Sequence, residues 1–69
     1  MNALEKKIVE LTEKEHIKEL KKLDKDMVFP MMIVRRCIRN TCIDNDIIGR
    51  LNDKIWVNVC NYLYNKYVK

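Results

Sequence analysis

The chain has no serine and no glutamine, and only one glycine, one proline and one histidine. Without serine, a hydrolytic nucleophile would have to be Cys or Thr, and the sole histidine, His16, sits among Lys and Glu on a segment expected to be exposed. No Gly-rich phosphate loop and no paired-carboxylate constellation is present. The expectation is a non-enzyme, with no cofactor and no small-molecule substrate. Scarce Gly and Pro leave few turn signals, and no run alternates apolar and polar residues for long enough to read as a paired strand. The composition therefore points to an all-α protein. The longest apolar run, Met27 to Val34, falls well short of the ~18 residues of a membrane span. No cationic start leads into an apolar segment with a small-residue cleavage site. These absences make a cytoplasmic protein with no membrane association the expectation. Three cysteines cannot complete a disulfide framework within one chain, which also favours a reducing compartment.

Hydrophobic residues at 48% make the chain too apolar for a disordered tail, and 69 residues allow one domain, residues 1–69. A domain of this size buries only about 60% of the surface its unfolded chain exposes, so its own core is marginal.

The strongest pattern is at the C-terminal end. At about 100° per residue, Ile48, Leu51, Ile55, Val59, Tyr62 and Leu63 share one face, widened by Trp56, Cys60 and Tyr67. Asp44, Asn45 or Asp46 can cap this helix, with Asn52 as a later cap if the intervening turn is separate. Val57, Tyr64 and Val68 form a second, narrower row on the far side, an interface for a partner or a second copy of the chain.

Further upstream, Leu4, Ile8 and Leu11 mark a first helix over Ala3–Leu11. Ile17, Leu20, Leu23 and Met27 lie on a different face, and Thr12-x-x-Glu15 has the form of a capping box. The preferred reading is a second helix beginning at Glu13, the competitor one long helix over residues 3–23. Pro30 suits the first turn of a further helix, Pro30 to Cys42, whose buried side would be Met31, Val34, Cys37, Ile38 and Thr41. The expected fold is a small bundle of three to four helices with a long C-terminal helix.

Charge is unevenly placed. Residues 1–29 balance to zero, residues 30–43 carry +3 from Arg35, Arg36 and Arg39, and residues 44–69 carry the remaining +1. Arg35, Arg36, Arg39 and Asn40 form one exposed arc, a residue set that can read base edges or meet an acidic partner. As the second half of a helix-turn-helix it would follow a link longer than the about 3–4-residue turn of that motif.

His16, Cys37, Cys42 and Cys60 have the number and types of a zinc site but none of the usual spacing, so the fold is expected to be metal-independent. Asp44-Asn45-Asp46 begins like a calcium loop, but Ile48 and Ile55 stand where ligands are needed. These features favour a non-enzymatic helical module that binds a larger protein as a regulator or inhibitor. The alternative is a helix-turn-helix-like DNA or RNA binder using Arg35 to Asn40.

Overall fold

The computed structural model describes every residue, Met1–Lys69, and contains helices and no strands. Three α-helices, α1 (Ala3–Lys21), α2 (Pro30–Asp44) and α3 (Asp53–Tyr67), are joined by the segment 22–29 and by a link containing one 3-10 turn, Ile48–Arg50. Side-chain contacts give their directions. Glu5 of α1 meets Asn58 of α3 and Glu13 meets Lys66, so α1 and α3 run parallel. Glu19 of α1 meets Arg36 of α2 while Glu15 meets Asn45, so α2 runs against α1. The arrangement is up, down, up. Twelve buried residues form one hydrophobic cluster between the three helices, with Ile8, Leu20, Val34, Ile38, Val59 and Leu63 fully enclosed.

The first two expected helices are one. The capping box is present, but at Asn2 and Glu5: the Asn2 side chain accepts from the Glu5 N–H and the Glu5 carboxylate from the Asn2 N–H, each at 2.8 Å. Thr12 caps nothing. It is fully buried, and its Oγ1 donates to the Ile8 carbonyl at 2.7 Å inside the helix. The apparent change of face arose from counting apolar residues alone. The side that α1 turns inward contains Glu5, Ile8, Val9, Thr12 and Leu20, with His16 half-buried between the last two, and these positions share one face at 100° per residue. Leu4 and Leu11 are its half-buried flank. A break does exist, just past the expected Thr12–Glu15 stretch: at His16 the backbone leaves helical geometry, with φ −127° and ψ 24°.

α2 starts at Pro30 as expected and continues to Asp44, burying Val34, Cys37, Ile38 and Thr41 together with Cys42; Met31 is half-buried. The C-terminal helix is shorter than expected. α3 has 15 residues against 19 in α1, because Asn52 is its N-cap, accepting from the Ile55 N–H at 2.9 Å, and the 3-10 turn before it is separate. Ile55, Val59, Cys60 and Leu63 are buried, but Ile48 and Tyr62, also expected on the core face, are exposed. Ile48 lies outside the helix altogether, so the period that placed it does not apply there. No helix is long and apolar enough to cross a membrane.

Candidate interaction surface

The segment between α1 and α2 is built to hold its tip away from the core. Asp24 ends the descent from α1 with a side-chain turn: its Oδ1 accepts from the Asp26 N–H at 2.8 Å and its carbonyl from the Met27 N–H at 3.1 Å. The Lys25 N–H donates to the Lys69 carbonyl at 3.1 Å, which ties this turn to the far end of α3. Pro30 then opens α2 and disfavours the right-handed α region for the residue before it. Phe29 takes neither that region nor the extended one that usually precedes a proline but a left-handed conformation, φ 64° and ψ 52°, uncommon for a bulky side chain. The consequence is an apolar knob. Val28 is 77% exposed, Phe29 66% and Met32 61%, with Met27 beside them.

The expected interface row on α3 is only partly outward. Val57 is exposed, whereas Tyr64 and Val68 are half-buried against the hydrophobic cluster. Arg35, Arg36, Arg39 and Asn40 are all exposed on α2. Arg36 pairs with Glu19 of α1 at 3.2 Å, and no carboxylate pairs with Arg35 or Arg39. Arg39 borders a shallow groove with Ile48, Leu51, Asn52, Asp53 and Trp56.

The fold does not gather the four possible metal ligands into one site, but it does bring His16 and Cys37 together. Cys42 and Cys60 belong to the hydrophobic cluster, while Cys37, though buried, lies outside it and faces α1 near His16. Burial, reinforced by the neighbouring Glu19 carboxylate, pushes the Cys37 thiol up to about 11, and burial raises Cys42 and Cys60 as well. Burial therefore disfavours the thiolate, the nucleophilic form, at all three positions.

The knob has a signal in the sequence. Met27 to Val34 is the longest apolar run in the chain, too short for a membrane span, and its second half supplies the first part of the inward face of α2. A Pro within it, preceded by acidic turn residues, marks it as a loop leading into a helix, where apolar side chains have little to pack on. Compared with protein-family models, curated proteins and solved structures, the chain matches none.

Proposed function

We propose that this chain is a small non-enzymatic interaction module, a regulator or inhibitor that binds a larger protein through Met27, Val28, Phe29 and Met32. The observation that carries this reading is Phe29, a large apolar side chain held in solvent by a backbone conformation that costs about 1–2 kcal/mol. A residue kept outward at a conformational cost suits an anchor that a partner's pocket will bury. Methionines beside it supply adaptable apolar contact. Asp24 and Asp26 lie among Lys21, Lys22 and Lys25 around the knob, so its rim has mixed sign and fits a protein better than an anionic lipid surface.

The competing reading is nucleic-acid binding through Arg35, Arg39 and Asn40, favoured by their exposure and by the absence of an acidic partner for either arginine. Two variants separate the readings. Phe29→Asn removes the anchor and suits the left-handed backbone better than a bulky aromatic does. It is expected to melt at the same temperature or slightly above wild type and to lose capture of the partner protein. Arg35→Glu with Arg39→Glu is expected to leave that capture intact. The protein-binding reading fails if Phe29→Asn captures its partner as wild type does. The nucleic-acid reading gains if a gel shift appears whose affinity falls steeply with salt and vanishes in the arginine variant.

A further inference from the structure

Three polar side chains lie on the inward face of α1, and the fold provides partners for two of them. Glu5 accepts from Asn2 and from the Asn58 amide at 2.7 Å, and Thr12 donates to Ile8. His16 is different. Its Nε2 is buried and has no hydrogen-bond partner, and its Nδ1 lies 3.8 Å from Glu19 Oε1, beyond hydrogen-bond range. Neither ring nitrogen of His16 has a hydrogen-bond partner, which calls for a ligand or an explanation, and Nδ1 is the one that faces Glu19. The helix also departs from regular geometry at this residue, although neither Pro nor Gly is there to cause it.

Two further donors converge on the ring. Glu19 is one helical turn along α1 and therefore on the same face, with Oε1 toward His16 and Oε2 toward α2. Cys37 of α2 is 1% exposed, and its Sγ lies 3.6 Å from Glu19 Oε2. One ligand atom from each of the three side chains lies within 4.8 Å of the others. Tetrahedral coordination with bonds of about 2.0–2.3 Å puts neighbouring ligand atoms roughly 3.3–3.8 Å apart, so side chains whose ligand atoms lie within 4.8 Å have to draw together to close on an ion.

We infer that His16, Glu19 and Cys37 form a site for a divalent transition metal of the zinc class, tying the C-terminal half of α1 to α2. Imidazole, carboxylate and thiolate together suit zinc or cobalt and not calcium or magnesium, which take oxygen ligands. Three protein ligands leave a fourth position for water or for a side chain of a partner. Arg36, bonded to Glu19 Oε2 at 3.2 Å, stands where an outer-shell donor orients a ligating carboxylate. Its positive charge works against the cation, as do Lys14 and Lys18 on the rim, while Glu15 favours it. The Cys37 thiol gives up its proton to solvent on binding, because the metal charge favours the thiolate. The hydrophobic cluster contains neither His16 nor Glu19, so the fold stands without the ion.

The test uses the whole chain stripped of metal with a chelator. Zn²⁺ is titrated in competition with a chromophoric chelator, and Co²⁺ serves as the spectroscopic probe of sulfur ligation. One metal per chain is expected, with a thiolate-to-cobalt charge-transfer band that disappears in Cys37→Ser and persists in Cys42→Ser and Cys60→Ser. Glu19→Gln changes a half-exposed, isosteric side chain outside the hydrophobic cluster and is expected to leave the protein folded. It is expected to weaken Zn²⁺ by at least the roughly 10–100-fold that loss of an outer-shell partner costs. Absence of one-to-one binding, a sulfur band that survives Cys37→Ser, or wild-type affinity in Glu19→Gln would each overturn the site.

Discussion

Thr12 and Thr41 are both fully buried in the bundle, yet only one hydroxyl has a partner. Thr12 Oγ1 donates to the Ile8 carbonyl, whereas Thr41 Oγ1 makes no hydrogen bond. A buried hydroxyl without a partner keeps its desolvation cost and recovers nothing. Thr→Val preserves side-chain shape, so the two sites should respond with opposite signs. Thr41→Val is expected to raise stability by about 1 kcal/mol and Thr12→Val to lower it by about 1 kcal/mol. In a domain of this size each change corresponds to about 4–8 °C in melting temperature, readable by circular dichroism. A fall in both variants would show that Thr41 has a partner after all, such as an ordered water.

Between elements, α1 and α3 are joined by a short polar ladder. Glu13 accepts from Lys66 Nζ at 2.6 Å and from the Tyr67 hydroxyl, while Glu5 accepts from Asn58. Burial pushes the Glu13 carboxyl up, but the bonds from Lys66 and Tyr67 outweigh it and leave its pKa below the ordinary 4.5. Glu5 is lowered too, first by the Asn2 N–H and then by the Asn58 amide. A carboxyl whose pKa is lower in the folded state contributes stability above its ordinary value, and that contribution disappears as pH falls through the folded value. Glu13→Gln should therefore cost about 1 kcal/mol at pH 7, between an exposed pair and a buried charge-assisted bond. Its melting curve should converge on wild type below pH 4.5. A gap that stays constant with pH would mean the carboxylate charge contributes nothing.

The same ladder shows what the sequence could and could not reveal. The all-helical class, the start of α2 at Pro30, most of its buried residues and Asn52 as a cap were legible, because each depends on local periodicity or backbone preference. Glu5, Thr12 and His16 on the inward face of α1 were not legible, because pattern reading assigns polar residues to solvent, and the partner that draws Glu5 inward is remote in sequence. Asn58 satisfies Glu5 from 53 positions away. Glu19 beside Cys37 was invisible for the same reason, since metal motifs are recognised by close spacing and these ligands come from two antiparallel helices. The exposed knob was hidden by the opposite assumption, that an apolar run finds a core.

At the scale of the whole molecule, the chain encloses itself about as well as a protein of its mass can. Its accessible surface is 4780 Å², against about 4,600 Å² for a folded monomer of 8.3 kDa. Its radius of gyration of 11.1 Å matches the about 11 Å of a compact domain this long. Any contact by Val57, Tyr64 and Val68 between copies adds to this enclosure. Tyr64 and Val68 pack on the hydrophobic cluster while Val57 stands clear of it, so they should separate under mutation. Val57→Lys is expected to leave the melting temperature unchanged. Tyr64→Lys with Val68→Lys should lower it, because the substitution replaces half-buried apolar surface with charge. Sedimentation gives the independent reading: a wild-type dimer that becomes a folded monomer in the double variant would assign the row to an interface between copies. A destabilised variant with unchanged mass would assign it to the edge of the core, leaving Phe29 and its neighbours as the surface on which a partner protein is to be sought.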